Sequence, residues 1–151
     1  MADVGYSGTP LAKKLGLKDG QAVAFVALPD SLHGLTAARL YRRIETTRDW
    51  RALPEGARDV IHLFTTAAHE VEQALPVLRD LIEPDGMIWV SWPKKSAKVA
   101  TDVTEGLIRT RALADVLVDV KVCAVDEVWS GLKLVIRVEA RAGHLNARNR
   151  P

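Results

Sequence analysis

The sequence has little of what would assign it to a specialised class of protein. Its 151 residues include one cysteine, Cys123, which excludes an internal disulfide and a cysteine-based zinc cluster. No apolar run approaches the roughly 20 residues of a membrane-spanning helix. No basic start is followed by the apolar run of a signal peptide. These absences predict a cytoplasmic protein with no membrane partner.

The net charge of +2 is distributed unevenly. From Ala140 onward the chain holds three arginines and no acid, whereas the remainder has 18 basic and 19 acidic residues. A near-neutral body argues against a nucleic-acid surface. We therefore predict one α/β domain over residues 1–139, with a glycine-rich N-terminal arm over residues 1–20. Residues 140–151 are expected to form a disordered basic tail.

Short apolar runs alternate with helical patterns along the chain. The runs Ala22–Leu28 and Met87–Trp92 have the length and continuity of strands buried on both faces. Thr66 is a candidate cap for the next helix, and Thr101 or Asp102 for a later one. Alternation of strands and helices predicts a parallel sheet covered on both faces, which is a three-layer α/β sandwich of Rossmann type.

The last two strands depart from this pattern. The runs Leu117–Val125 and Leu132–Val138 are separated by a turn too short for a parallel crossover, so the final strand is expected to be antiparallel. Side-chain alternation in the first of these strands predicts that Asp119, Lys121 and Cys123 share one face.

Polar and aromatic residues follow several of the predicted strands. Because ligands of parallel sheets bind at the carboxyl ends of the strands, these residues are expected to meet at one rim. The ligand-binding candidates are Tyr6, Ser7, Thr9, Trp92, Lys94, Lys95, Asp126, Glu127, Trp129 and Lys133. The lysines suit a phosphate or carboxylate, the tryptophans a stacked base or sugar, and the N-terminal hydroxyls a lid.

Each candidate group also has a structural interpretation. The tryptophans can be packing residues of the rim, and the N-terminal arm can pack without closing over a ligand. The two carboxylates can act as a general base or hold a cation, but they can equally pair with Lys94, Lys95 or Lys133. The sequence therefore predicts where a site lies and leaves the catalytic residues unassigned.

Other reactive residues do not form a known catalytic or metal-binding pattern. The four histidines lack metal-ligand spacing, and His62 is flanked by apolar residues in a predicted strand, which favours a core position. Cys123 is expected to be a buried, inert thiol. Ser130 precedes Gly131 but lacks the second glycine of a nucleophile elbow, which excludes that type of serine hydrolase. No metal site is predicted.

The segment Leu81–Val90, with the order of strands and helices, resembles the core of class I S-adenosylmethionine-dependent methyltransferases. The resemblance covers residues 21–138 and implies methyltransferase-like topology and S-adenosylmethionine as a cofactor. It further implies that Glu45 occupies the place of the acid that binds the ribose. The family's glycine-rich loop after the first strand is absent, because Ala27–Gly34 has a single late glycine.

Longer motifs resemble a small bacterial family of unknown function. They are Gly5–Leu11 with Lys13–Gly16, Ser91–Lys95, and Asp119–Glu127 with Trp129–Lys133, and they span nearly the whole chain. This resemblance implies a bacterial cytosolic setting and no particular chemistry.

Three functional hypotheses follow. The first is a binding or regulatory domain with a small-anion or partner site at the carboxyl rim of the sheet. The second is a divergent S-adenosylmethionine-dependent methyltransferase. The third is an oligomeric scaffold that buries the tryptophans in an interface between copies of the chain.

Overall fold

The computed structural model describes residues 9–148, which form one mixed sheet and its covering helices. The strands are β1 (Ala22–Val26), β2 (Arg43–Thr47), β3 (Arg58–Phe64), β4 (Ile82–Pro93), β5 (Leu117–Ala124) and β6 (Trp129–Ile136). The α-helices are α1 (Thr9–Lys14), α2 (Ala68–Arg79), α3 (Glu105–Ala114) and α4 (Arg141–Arg148). Short 3-10 helices span Asp30–Ala37, Trp50–Ala52, Lys95–Ala97 and Val138–Ala140.

The strand order in the sheet is β2-β1-β3-β4-β6-β5. Strands β1 to β4 pair in parallel, whereas β6 lies antiparallel between β4 and β5. The α/β class and the antiparallel last strand are therefore confirmed. From β1 the chain moves outward to β2 and then returns to β3 on the other side, so the topological switch point lies between β1 and β3.

Helical elements cover both faces of the sheet and create two hydrophobic cores. On one face, α2 and α3 pack on a core that includes Ile61, Val90 and Leu134. On the other face, α1 and the Asp30–Ala37 helix pack on a core that includes Phe25 and Trp89. Because neighbouring strand residues alternate between these cores, β1 is buried throughout, as its continuous apolar run predicts.

The helix caps differ from those predicted. Helix α3 is capped by Thr104, whose Oγ1 accepts the amide of Leu107 at 3.1 Å. Thr101 and Asp102 instead stabilise the loop after β3: Thr101 Oγ1 donates to the Thr66 carbonyl at 2.7 Å, and Asp102 accepts the amide of Ala68 at 2.7 Å. Several polar residues precede this helix, and tertiary contacts decide which of them caps it.

The C-terminal segment is helical where a disordered tail was expected. Residues 141–148 form α4, and its His144 side chain is buried with Nε2 at 2.9 Å from the Ile82 carbonyl. The Arg141 guanidinium donates to the Ile136 carbonyl at 2.9 Å. These contacts hold the helix against the sheet and could not be foreseen from its basic composition. Residues 149–151 lie outside the described part of the chain.

Strand β5 contains a bulge that changes which side chains share a face. Its register with β6 shifts between Asp119 and Lys121. Asp119 accepts from Arg109 of α3, whereas Lys121 donates to the Lys14 carbonyl of α1. The two residues therefore lie on opposite faces, and the prediction that they share one is wrong because a bulge breaks strand alternation.

Strand β4 is irregular where Gly86 approaches the neighbouring backbone. The register with β3 shifts between Arg58 and Val60, and the residues of β4 before Met87 bend out of it. A Cβ atom on Gly86 would lie 3.0 Å from the Arg58 carbonyl oxygen and 3.1 Å from that of Asp59. Glycine is required here because backbone oxygens cannot move aside.

We expect Gly86→Ala to lower the free energy of unfolding by about 1–3 kcal/mol, since the added methyl group would overpack the β3–β4 contact. Urea denaturation measures the change. Gly106→Ala is the matched control, because a Cβ there has its nearest atom at 4.0 Å. Equal stability of the two variants would contradict the close approach at Gly86.

Candidate functional site

A cavity of about 420 Å³ opens where the carboxyl ends of β1 and β3 separate. We call it the switch-point cavity. Aromatic side chains of Trp50, Phe64 and Trp129 line it, together with the polar side chains of Arg48 and Glu70. A cavity of this size with apolar walls and a few polar groups is typical of small-molecule sites.

The backbone bends sharply over this cavity at Ala27, directly after β1. Ala27 has φ 58°, which is the left-handed region that residues other than glycine rarely adopt. Its amide donates to the Thr47 carbonyl at the end of β2, at 2.8 Å. An alanine therefore makes the turn for which the resemblance implies a glycine-rich loop.

The aromatic walls are fixed by specific contacts. Trp50 Nε1 donates to Glu70 Oε1 at 2.8 Å, and the Arg51 guanidinium lies 4.3 Å from the centre of the Trp50 ring. On the opposite wall, Trp129 packs edge-on against Phe64 with ring centroids 5.3 Å apart. Rigid aromatic walls suit a planar ligand because little side-chain freedom is lost on binding.

Two opposite charges lie at the mouth of the cavity. Glu70 on α2 accepts from Trp50 and from Arg51, yet its side chain keeps 26% of its surface exposed. Arg48 directly follows β2 and is exposed, with its guanidinium 3.4 Å from the Leu28 carbonyl. Within residues 9–148, Arg48 forms no ion pair, so its charge is available to a ligand.

Glu45 does not occupy the ribose-binding position that the resemblance implies. Its two oxygens accept from the buried Arg58 guanidinium at 2.7 and 3.0 Å, and this pairing holds the pKa of Glu45 below its usual range. Arg58 also donates to the carbonyls of Gly56 and Pro54. Glu45 is thus paired with a buried arginine, and Arg48 is the residue that directly follows β2.

A polar pair lies in the core beneath the cavity wall. His62 Nε2 is 2.7 Å from Ser91 Oγ, and both side chains are buried between β3 and β4. The His62 ring stacks on Phe64 with centroids 4.2 Å apart. Burial lowers the pKa of His62 to about 3, so the ring is neutral near pH 7. The predicted core position of His62 is confirmed.

A second cavity, of about 570 Å³, opens beyond the carboxyl end of β4. We call it the Trp92 cavity. Trp92, Lys94 and Lys95 line one side, and residues 103–106 at the start of α3 line the other. Three of the predicted ligand-binding residues are therefore brought together here, while Trp129 lines the switch-point cavity.

The turn between β5 and β6 does not pair its carboxylates with lysines. Asp126 Oδ1 accepts the amides of Val128 and Trp129 at 2.9 and 2.7 Å, which shapes the turn itself. In the described part of the chain, neither Asp126 nor Glu127 forms an ion pair with Lys94, Lys95 or Lys133, so the predicted pairing is wrong. The loop backbone reaches the turn instead, because the Lys94 amide donates to Val128.

The remaining candidates do not join these two cavities. Lys133 lies within β6, opposite Trp89 of β4. Tyr6 and Ser7 lie outside the described residues, and Thr9 begins α1. Cys123 is half-buried, so the expected full burial is wrong, while its partial burial still raises the pKa of the thiol. Roles for these residues in ligand binding remain predictions.

Sequence reasoning missed the polar residues of the switch-point cavity. Arg48 directly follows β2, a parallel strand, and the rule that ligands bind at the carboxyl ends of such strands points to it. Glu70 and Trp50 meet only through the folding of α2 against the loop after β2, and no local pattern marks that contact.

Solved structures show the relation of this geometry to known proteins. No family model matches the chain, and no curated protein matches it in sequence. The magnesium protoporphyrin IX methyltransferase of Synechocystis PCC 6803 superposes with TM-score 0.60 at 16% identity, over 88% of this chain and 80% of that one. A methyltransferase from Aquifex aeolicus gives TM-score 0.61 at 14% identity, over 84% and 88%.

The fold is that of class I S-adenosylmethionine-dependent methyltransferases. The ribosomal protein L11 methylase of Lactobacillus delbrueckii subsp. bulgaricus agrees, with TM-score 0.56 at 13% identity over 90% of this chain and 79% of that one. Identities this low show the fold alone.

Two further features are absent from residues 9–148. No group of three histidine, cysteine or acidic side chains there is arranged to hold a metal ion. None of the helices in this part of the chain has the length and apolarity needed to cross a membrane.

We expect stability to fall as the pH drops from 6.5 towards 3. His62 is neutral in the fold, whereas the unfolded chain takes up a proton below pH 6.5, so acid favours unfolding. Between pH 7 and pH 5 this effect is about 2 kcal/mol. Urea titrations of wild type and His62→Gln at both pH values measure it, because glutamine does not titrate. Equal losses in the two proteins would contradict the neutral buried ring.

Proposed function

We propose that the protein is a divergent methyltransferase whose switch-point cavity binds S-adenosylmethionine. The observation that carries the proposal is the position of the cavity: it lies at the switch point of a methyltransferase fold, at the carboxyl ends of β1 and β3. A solved structure of the Synechocystis methyltransferase holds S-adenosylmethionine, which makes that compound the first ligand to test.

The side chains of the cavity have chemistry that fits this ligand. S-adenosylmethionine carries a carboxylate, an ammonium, a sulfonium, ribose hydroxyls and an adenine ring. Arg48 can pair with the carboxylate, and Glu70 can accept from the ammonium or the hydroxyls. Trp50 and Trp129 offer aromatic faces to the adenine or the sulfonium. The volume of about 420 Å³ is within the range of small-molecule sites.

The loop after β1 departs from the family's glycine-rich pattern, and its sharp turn falls on an alanine. Ala27 is in the left-handed region, and no residue between it and Gly34 is a glycine. The departure therefore adds one methyl group, that of Ala27, at a turn for which the family's pattern has glycine. This loop bounds the cavity with backbone and a small side chain, which leaves room beside β1.

Bound S-adenosylmethionine would supply an electrophilic methyl group. The contribution we propose for the protein is to hold that ligand between aromatic walls, to orient it through Arg48 and Glu70, and to exclude water. Asp126 shapes its own turn and lines neither cavity, so we assign it no role as a general base. The catalytic residues stay unassigned.

A second candidate is a site for a nucleotide that carries an anionic group on its sugar. The observation in its favour is Arg48, a cation where the family places a ribose-binding acid. In dinucleotide-binding folds an acid at this place binds the ribose hydroxyls, whereas an arginine accommodates a 2′-phosphate. Under this candidate the protein still binds a small anion, but Arg48 binds the anionic group in place of Lys94 and Lys95.

Isothermal titration with S-adenosylmethionine, S-adenosylhomocysteine and adenosine 2′,5′-bisphosphate tests both candidates. Under the leading proposal the two adenosyl sulfur compounds bind wild type, and Arg48→Ala weakens that binding about 10- to 100-fold through loss of a charge-assisted hydrogen bond. Arg42→Ala is the matched control, since Arg42 is an exposed arginine just before the amino end of β2. It should bind as wild type does.

Binding of the bisphosphate alone would favour the second candidate and overturn the first. Absence of binding by all three compounds, with the protein folded, would contradict both. The scaffold hypothesis and the cytosolic setting remain separate predictions. Light scattering of wild type and Trp129→Ala tests the scaffold hypothesis. If Trp129 is buried between copies of the chain, the molecular mass of the particle should be lower for the variant than for wild type.

A further inference from the structure

We propose that the Trp92 cavity is a second ligand site, selective for a small molecule with an apolar body and one anionic group. The cavity has a volume of about 570 Å³, which exceeds that of the switch-point cavity. Its lining is divided by chemistry, with apolar side chains on one part and uncompensated positive charge on another. That division is what the proposal rests on.

The apolar part of the lining is formed by side chains from three segments. Trp92 ends β4, Val103 precedes α3, and Val99 lies in the loop between them. Trp92 and Val103 are almost fully buried, whereas Val99 keeps 43% of its surface exposed beside the cavity. An exposed valine next to a buried tryptophan is a surface that an apolar ligand would cover with a gain in free energy.

The charged part of the lining is positive. Lys94 and Lys95 both line the cavity, and neither forms an ion pair with any residue from 9 to 148. The one acid of the lining, Glu105, pairs with Arg109, which it shares with Asp119, so a single partly compensated carboxylate faces the two lysines. The lysine charges therefore remain for a ligand, and the ligand that complements them is an anion.

The walls of the cavity are held by hydrogen bonds. The Lys94 amide donates to the Val128 carbonyl at 2.7 Å, which fixes the start of the lysine segment against the β5–β6 turn. On the other side, Thr101 Oγ1 donates to the Thr66 carbonyl at 2.7 Å and accepts the Val103 amide at 3.0 Å. A site bounded in this way is formed before its ligand arrives, which lowers the cost of binding.

The two cavities adjoin across a thin wall. Thr66 lines the switch-point cavity, and its carbonyl accepts from Thr101, which lines the Trp92 cavity. Pro93 and Trp129 are paired across β4 and β6 and belong to different cavities. This closeness makes the Trp92 cavity the place for the methyl acceptor, which would then be a small apolar acid. That role rests on the proposed function, whereas ligand binding at the Trp92 cavity does not.

A pair of fluorescent probes tests the binding directly. The first, 8-anilinonaphthalene-1-sulfonate, has an aromatic body and an anionic group, and the second, N-phenyl-1-naphthylamine, has the same body without the charge. We expect wild type to bind the sulfonate more tightly. Lys94→Gln/Lys95→Gln should weaken sulfonate binding about tenfold or more and leave the neutral probe unchanged. Lys13→Gln/Lys18→Gln removes the same charge from exposed lysines elsewhere and is the matched control.

A cavity-filling variant locates the probe. A Cβ on Gly106, which lines the cavity, would have Thr104 Oγ1 as its nearest atom at 4.0 Å, so a larger side chain can extend into the open space. Gly106→Phe should remove binding of both probes, with thermal unfolding as the check that the fold is kept. Gly106→Ala should bind as wild type does.

Three results would overturn the proposal: no binding by wild type, equal binding by wild type and Gly106→Phe, or equal loss in the two double-lysine variants. Arg48→Ala separates this proposal from the proposed function. Loss of S-adenosylmethionine binding with retained sulfonate binding would leave the second site standing. Retained S-adenosylmethionine binding without a sulfonate site would refute the second site alone.

Discussion

The close approach of β6 to β4 at Gly131 is the constraint on which the described site depends. A Cβ atom there would lie 3.2 Å from Ser91 Oγ, from Trp89 Cε3 and from Val125 Cγ2. A side chain there would require these three neighbours to shift by a few tenths of an ångström, so glycine allows β6 to pack closely against β4. Trp129, two residues before Gly131 in the same strand, is thereby fixed at the rim of the sheet, where it packs against Phe64 and forms a wall of the switch-point cavity.

Polar groups anchor this contact from within the core. Ser91, which faces Gly131, pairs with His62 of β3, and Trp89 Nε1 donates to the Leu15 carbonyl at the end of α1. Buried polar groups are costly unless they are hydrogen-bonded, and here each of them joins a different element to β4. The strand that separates the two cavities is therefore held on one face by a polar network, which limits its freedom to change register.

Much of the fold could be predicted from the sequence, because the burial pattern is local. Continuous apolar runs mark the inner strands, and the short turn before Trp129 requires an antiparallel last strand. The C-terminal helix could not be predicted in this way, since its stability comes from the contact between His144 and β4. The same limit applies to the bulge in β5, because the alternating pattern of the sequence continues through it while the pairing with β6 shifts.

The site was predicted only in part, and the reason is also physical. The rule that ligands bind at the carboxyl ends of parallel strands pointed to Trp92, Lys94 and Lys95, because these residues lie at or just after the end of a recognisable strand. It did not reveal that these residues and Trp129 belong to two cavities, since that depends on the loop from Lys95 to Thr104. The position implied for Glu45 could not be checked from the sequence, because its side chain pairs with Arg58 at the start of β3.

The central claim is that the switch-point cavity binds an adenosyl ligand, and the indole N–H signals in a nitrogen-15 NMR titration with S-adenosylhomocysteine test it most directly. Each tryptophan reports a different place: Trp50 and Trp129 line the switch-point cavity, Trp92 lines the second cavity, and Trp89 is buried on Leu15. We expect the Trp50 and Trp129 signals to move and the Trp89 signal to stay. Movement of the Trp92 signal alone, or of none, would contradict the claim.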